Sequence, residues 1–252
     1  ERGRKAMQQI ANLCRKTMPV RIRPLTPIYL ISNIMLNLNL LQPDTPVGVM
    51  TSGGADSSLL VALLMKYHQH PIHVISTAHA TTGFTEPQYA LKVLTHCVEK
   101  FDRKDVTFYT HYVYDKKPWN VIPSNYVMQN ISHLYFGFTK QPPEGSFSDF
   151  EKDNVAASNG FDDGITKPLE FKNIRESDKI FGERMLDLPG EYKVIVPFIN
   201  INKKVVAELY KQEDLEEIYP MTRSCESLTL REGHCGKCWW CKEREWAFGY
   251  ID

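Results

Sequence analysis

The sequence lacks a surplus of charge of either sign. Its 252 residues carry 30 lysines and arginines against 30 aspartates and glutamates, so the formal net charge is +0 and the pI is near 7.3. A protein that contacts many phosphates of a nucleic acid usually presents a basic field. Balanced charge therefore argues against stable nucleic-acid binding and favours a small-molecule substrate.

Long hydrophobic runs are absent as well. The most apolar stretch, residues 28–41, is interrupted by one serine and three asparagines, and it is shorter than the ~20 apolar residues of a membrane span. No secretory signal is visible. We therefore expect no membrane association and a cytoplasmic protein, in a compartment that keeps thiols reduced.

Two common phosphate-binding motifs, Gly-x-x-x-x-Gly-Lys-Ser/Thr and Gly-x-Gly-x-x-Gly, are also missing. In their place, Ser52-Gly53-Gly54-Ala55-Asp56-Ser57-Ser58 follows an apolar run at 47–50 and precedes a helical pattern at 59–67. Two glycines allow a tight turn and close approach of a ligand. Backbone N–H groups and the helix dipole then stabilise an anion at the turn. This pattern predicts a strand, a phosphate-binding loop and a helix whose start is capped by Asp56, Ser57 or Ser58.

Further apolar runs predict an α/β protein. Residues 72–77, 106–112 and 192–198 read as strands with helical segments between them, a succession typical of a parallel sheet. Thr85–Gln88 has the capping-box pattern, and Asn202 is placed to cap a helix over 203–210. Residues 141–163 read as a long loop or lid. We expect an N-terminal helical extension at 1–44, a nucleotide-binding domain at 45–212 and a C-terminal segment at 213–252 packed on it.

Four of the six cysteines are concentrated in that C-terminal segment, namely Cys225, Cys235, Cys238 and Cys241. Four thiolates can close a tetrahedral site around Zn²⁺ and leave no open position for water, which predicts a structural metal. An iron–sulfur cluster accepts the same ligands, so the metal stays open at this point. The spacing of Cys97 within an apolar helical stripe predicts a core residue.

These motifs resemble the PP-loop ATP pyrophosphatases and, among them, the 7-cyano-7-deazaguanine (preQ0) synthases of queuosine biosynthesis. The resemblance is carried by the Ser52–Ser58 loop, Pro197–Lys203, Thr222–Cys225 and His234–Arg244. It implies a Rossmann-like adenine-nucleotide α-hydrolase fold with a small four-cysteine zinc-binding subdomain, and often a homodimer. It also implies a reaction in which ATP adenylates a 7-deazaguanine carboxylate, pyrophosphate leaves, and ammonia converts the product to an amide and then a nitrile.

The resemblance also suggests residue roles. Ser52, Gly53, Gly54, Ala55, Ser57 and Ser58 are expected to bind ATP, together with Thr77 near the end of the second strand. Asp56 only accepts hydrogen bonds when ionised, so it suits Mg²⁺ or a loop N–H group. Lys203 is expected to neutralise charge on the phosphates. Ser52, Asp56 and Lys203 are thus the predicted catalytic residues.

The centre of the chain departs from the synthases. The second strand runs into Thr77–Gly83 where they carry Tyr-Gly-Gln, and Gly137–Thr139 lacks their continuation to Tyr-Pro-Asp-Cys-Arg. ATP activation is therefore better supported than the acid that is activated. Three alternatives stay open: transfer of a related acid to an amine on a protein or other acceptor, a tRNA-modifying PP-loop enzyme, and a non-catalytic nucleotide-binding module.

Overall fold

A parallel five-stranded sheet forms the centre of the structure, a computed structural model. It describes residues 41, 43–79, 85–113, 130–140, 142–143, 146, 193–225, 232–236 and 238–251, and, for the backbone alone, 29–31 and 34–36. The strands are β3 (Val47–Met50), β4 (Ile72–His79), β5 (Val106–Val113), β6 (His133–Phe136) and β7 (Lys193–Ile195). Their order is β5-β4-β3-β6-β7, and every pairing is parallel. The predicted α/β fold is confirmed.

The position of β3 determines where a ligand can bind. β3 pairs with β4 on one side and with β6 on the other, because the chain crosses to the opposite half of the sheet after β5. In open parallel sheets, ligands bind beyond the carboxyl ends of the strands at such a crossing point. The loop after β3 and the segment after β6 both emerge there.

Helix α1 (Ala55–Tyr67) is enclosed on nearly all sides, with ten of its 13 residues buried. A helix that is apolar all round belongs in the interior. Its partners in the core include Phe198, helix α3 (Lys203–Gln212) and the 3₁₀ helix Glu216–Met221. Helix α4 (Trp239–Phe248) follows. Phe198 and the elements that follow it thus cover the helix that begins at the predicted phosphate loop.

Helix α2 (Glu86–Lys100) confirms the predicted apolar stripe. It buries Ala90, Val93, Leu94 and Cys97. Burial of the Cys97 thiol raises its pKa to about 12, and a thiol that stays protonated is a poor nucleophile. Cys97 is therefore a core residue, as predicted.

One predicted helix cap is wrong, and two lie where they were predicted. Gly54, not Asp56, Ser57 or Ser58, is the N-cap of α1, and it makes no side-chain cap bond. Thr85 is the N-cap of α2, as the capping-box pattern predicts, but its side chain makes no cap bond; its Oγ1 accepts from Arg223 Nη1 at 3.1 Å. Asn202 does cap α3, since Oδ1 accepts from the N–H groups of Lys204 at 3.0 Å and Val205 at 3.3 Å.

The strand predictions need three corrections. Helix was expected throughout 1–44, but β1 (Tyr29–Ile31) and β2 (Ile34–Leu36) form an antiparallel pair with Ile31 opposite Ile34. β7 ends at Ile195, shorter than predicted, because Pro197 has no N–H to donate to a ladder. β6 was not predicted at all, since four residues carry too little periodicity.

Some predictions concern residues outside the described part. Residues 1–28 and all but three positions of the predicted 141–163 loop lie there. Among the helices that the structure does describe, none combines the length and the apolar character that a membrane crossing requires.

His68, at the end of α1, predicts a loss of stability in acid. Burial lowers the pKa of His68 from 6.5 to about 4, and the nearby His70 and Arg103 act in the same direction against Thr45 and Asp105. Because the unfolded chain binds the proton more tightly, His68 destabilises the fold as the pH falls from 6.5 towards 4. At pH 5 we expect a cost of about 2 kcal/mol relative to pH 7.

Urea unfolding at pH 7 and pH 5 measures this cost. The control is His68→Leu, which removes the titrating ring but keeps an apolar side chain of moderate size. The wild type should lose about 2 kcal/mol more than the variant between the two pH values. Equal losses in both proteins would rule out the role of His68.

Candidate active site and metal centre

The loop after β3 is held in a conformation that requires glycine. Thr51 N donates to Ile75 O at 2.8 Å, which extends the pairing of β3 with β4 to the start of the loop. Gly53 has a φ of +74°. A Cβ atom at Gly53 would lie 2.6 Å from Tyr89 Cβ and 2.7 Å from Ala90 N. The loop is therefore pressed against the start of α2, and Gly53 is needed for both its φ and its lack of a side chain.

Hydroxyl groups organise the N–H groups of this loop. Ser52 N donates to Ser57 Oγ at 3.3 Å, Gly53 N to Thr51 Oγ1 at 3.2 Å, and Gly54 N to Ser52 Oγ at 3.3 Å. These bonds are long for N–H···O contacts. Three consecutive N–H groups next to a helix N-terminus are an arrangement that can stabilise an anion.

The other predicted loop residues lie deeper. Ala55 and Ser58 are buried. The carbonyl of Ala55 accepts from Tyr210 Oη at 2.7 Å, and Ser58 N donates to Gly54 O at 3.0 Å. Both residues lie at the start of α1, and their role in binding ATP stays a prediction.

Lys203 and Asp56 meet although 147 positions separate them in the sequence. Lys203 Nζ lies 3.3 Å from Asp56 Oδ2 and 2.7 Å from Glu243 Oε2. Lys203 is 2% exposed, so it is a buried cation rather than a solvated first-turn lysine. Glu243 is also buried, and sequence reasoning assigned it no role. Its position two residues after Cys241 was the available signal.

The segment after β6 adds a second wall. A Cβ at Gly137 would lie 2.6 Å from Ser57 Cα and 2.7 Å from Ser57 N, so this backbone lies directly on the first turn of α1. Thr139 Oγ1 donates to Asp56 Oδ2 at 3.5 Å. Neither residue was predicted as part of the site.

Thr77 was also predicted to bind ATP. Among the described contacts, no side-chain hydrogen bond joins Thr77 to the loop. Thr77 lies within β4, two residues before the end of the strand, and is paired with His111 of β5. Its role in binding ATP therefore stays a prediction.

Arg223 joins the loop to the cysteine-bearing segment, another contact that sequence reasoning missed. Its N–H donates to Gly53 O at 2.9 Å. Its guanidinium donates to Thr85 Oγ1 at 3.1 Å and to Gly233 O at 3.1 Å. The buried Arg223 thus fixes the loop, the start of α2 and the turn before Cys235 relative to one another.

The four predicted cysteines converge, and their Sγ atoms lie within 4.8 Å of one another. Cys238 and Cys241 are 3.4 Å apart, and Cys235 and Cys241 are 3.9 Å apart. A tetrahedral Zn²⁺ with Zn–S bonds of about 2.3 Å requires S···S distances of about 3.8 Å. The donor set and spacing therefore fit a four-thiolate metal site.

Hydrogen bonds and burial raise the pKa values of two thiols in the cluster. A hydrogen bond with Cys225 is the main cause that raises the pKa of Cys241, to about 12, and burial adds to it. The same contact raises the pKa of Cys238. Four thiolates at this spacing need a cation to stabilise their charge. A metal held here would supply structure, because the site leaves no position open for substrate.

His234 precedes Cys235 but is not one of the four clustered ligands. Its Nε2 accepts from Ser224 N at 3.3 Å. The ring therefore supports the turn between Ser224 and Cys235.

Comparisons with known proteins divide the chain between two family models. Residues 39–107, which include the loop, match the family described as asparagine synthase. Residues 183–252, which include Lys203 and the cysteines, match the family described as queuosine biosynthesis protein QueC. Among curated protein sequences, none shows a significant match.

Among solved structures, U34-tRNA thiolase NcsA from Methanococcus maripaludis with its 4Fe–4S cluster is similar to this chain. The two share 16% sequence identity over 86% of this chain and 76% of that chain, with a TM-score of 0.36. The two family matches and the strand–loop–helix at 47–67 agree with one another. The chain is therefore similar to the QueC-like PP-loop ATP pyrophosphatases over these two segments.

Proposed function

We propose that the protein is an ATP-dependent carbon–nitrogen ligase that adenylates the carboxylate of a 7-deazaguanine. The observation that carries this proposal is the convergence of the Ser52–Ser57 loop, Asp56 and Lys203 where the chain crosses the sheet. The QueC match over 183–252 supports the choice of acid and of ammonia as the amine donor.

The proposed chemistry follows from the charges at the site. A substrate carboxylate oxygen attacks the α-phosphorus of ATP, and the bond to the β-phosphate oxygen breaks, so the acyl adenylate and pyrophosphate form. The loop N–H groups and Lys203 stabilise the charge that accumulates on the leaving pyrophosphate. Mg²⁺ on the phosphates would supply further neutralisation, and Asp56 is the carboxylate in this site that suits it.

The same site activates the substrate twice, first as the acid and then as the amide. Ammonia displaces AMP and loses a proton, which gives the amide. A second ATP then activates the amide oxygen with release of pyrophosphate, and loss of AMP and of the two amide N–H protons leaves the nitrile. The proposal therefore requires two AMP and two pyrophosphate per nitrile, and one of each per amide.

Incubation with 7-carboxy-7-deazaguanine, ammonia and Mg-ATP tests the proposal. We expect two AMP and two pyrophosphate for each nitrile, or one of each for each amide. Lys203→Met should slow their release by about 100-fold or more, because charge on the leaving group is no longer neutralised. Chromatography of nucleotides with mass spectrometry of the deazapurine gives both readings. Mg-ATP binding without turnover of this acid would contradict the substrate assignment.

The dependence of AMP release on ammonia distinguishes this proposal from transfer of the acid to another acceptor. AMP release that ammonia does not accelerate, together with a mass adduct on an added amine, would favour such an acceptor. Homodimer formation and cytoplasmic localisation stay predictions.

A further inference from the structure

We propose that Glu243 is a positioning residue for Lys203, by which the cysteine-bearing helix α4 places the cation of the ATP site. The inference rests on the proposed use of Lys203 towards the phosphates of ATP. The described hydrogen bond of the Glu243 carboxylate is to Lys203, and we infer that Glu243 acts through this lysine.

Lys203 has two acidic neighbours, which differ in their distance from Nζ and in their exposure to solvent. Glu243 Oε2 accepts from Lys203 Nζ at 2.7 Å, the distance of a strong charge-assisted bond. Asp56 Oδ2 is farther, at 3.3 Å, and its side chain is 16% exposed against 0% for Glu243. Glu243 is therefore the closer and more enclosed anchor, while Asp56 lies in the first turn of α1, where it also accepts from Thr139.

Stability alone is a weak account of this pair. Both side chains are withdrawn from water, with exposures of 3% and 0%. Desolvation of two charges offsets most of their attraction, and apolar residues of similar size often serve as well or better. A lysine, however, has a long flexible stem, and a fixed carboxylate restricts where its ammonium group lies. A positioning role accounts for the buried carboxylate where stability does not.

Helix α4 is held independently of Glu243. Arg244, the next residue, is buried and donates to Thr222 Oγ1 at 2.7 Å and to Tyr219 O at 3.0 Å. Its guanidinium also lies 3.8 Å from the centre of the Tyr219 ring. A change at Glu243 should therefore leave α4 in place and alter mainly the position of Lys203.

The test compares Glu243→Gln with Glu245→Gln. Glu245 lies on the same helix and pairs with Lys242 at 2.8 Å on the surface, so the control makes the same chemical change away from the site. With its carboxylate partner lost, Lys203 should move towards Asp56. We expect Mg-ATP binding, measured by calorimetry on the metal-loaded protein, to weaken about tenfold, and AMP formation to slow by about 10- to 100-fold. Glu245→Gln should stay within about twofold of the wild type.

A double-mutant cycle separates positioning from a structural role. If Glu243 acts through Lys203, Glu243→Gln adds no further loss of Mg-ATP binding to Lys203→Met. Additive losses, or wild-type binding by Glu243→Gln, would overturn the proposal. If Glu243→Gln does not fold, Glu243→Asp replaces it; its shorter carboxylate should also weaken Mg-ATP binding, and wild-type binding would overturn the proposal. Because these readings use Mg-ATP alone, they stand even if the deazaguanine acid proves to be the wrong substrate.

Discussion

Alanine in place of Gly53 is expected to abolish measurable Mg-ATP binding and to lower the free energy of unfolding by about 3 kcal/mol or more. Two effects add at this position. The φ of +74° is unfavourable for any residue with a Cβ atom. The new Cβ would also lie 2.6 Å from Tyr89 Cβ, 2.7 Å from Ala90 N and 2.9 Å from Tyr89 C. These are atoms at the backbone of α2, so relief requires the loop or the helix to move.

Gly249→Ala is the matched control. Gly249 ends α4 with a φ of +84°, and a Cβ there meets nothing within 4 Å among the described residues. This variant carries the conformational penalty alone, about 1–2 kcal/mol, and should bind Mg-ATP normally. Urea unfolding and calorimetry measure both quantities. If both substitutions changed the free energy of unfolding and Mg-ATP binding equally, close packing against α2 would not determine the conformation of the loop.

Cys241→Ala is expected to have the second large effect, on metal content and on stability together. Cys241 lies in the first turn of α4, and its sulfur is the one closest to both Cys235 and Cys238 among the described contacts. Three remaining thiolates cannot close the site, so the variant should lose its metal and at least about 3 kcal/mol of stability. Mg-ATP binding should weaken as well, because the disturbed helix also carries Glu243.

Cys97→Ala provides the control for removing a buried thiol. Cys97 is as buried as Cys241 but lies on the core-facing side of α2, in a different buried cluster. Its loss should cost about 1 kcal/mol in packing and leave the metal content unchanged. Elemental analysis of the wild type also names the metal, since zinc and an iron–sulfur cluster differ in composition and in visible absorbance. Full metal retention by Cys241→Ala would contradict the four-thiolate site.

Local signals in the sequence predicted much of the fold. Residues 47–50 are apolar and short, as a strand buried on both faces must be, and the stripe through Cys97 has helical period. The convergence of the four cysteines also follows from the chemistry of thiolates and from their close spacing. These features need no knowledge of distant parts of the chain.

The contacts that complete the site could not be predicted in this way. Lys203 and Glu243 are 40 positions apart, and Arg223 and Thr85 are 138 positions apart. Such pairs depend on how the helices pack, which no local pattern encodes. The missing side-chain cap bond at Thr85 has the same origin, because its hydroxyl oxygen accepts instead from the buried guanidinium of Arg223.

The bond from Arg223 N to Gly53 O has a consequence for biosynthesis. Gly53 leaves the ribosome early, but its partner at Arg223 and the anchor of Lys203 at Glu243 are made much later. The 190 positions between Gly53 and Glu243 take about 10–40 s to translate at ~5–20 residues per second. During that interval the nascent chain contains the Gly53 turn but lacks Arg223 or Glu243, or both. We expect competence to bind nucleotide to appear only after the cysteine-bearing helix has emerged.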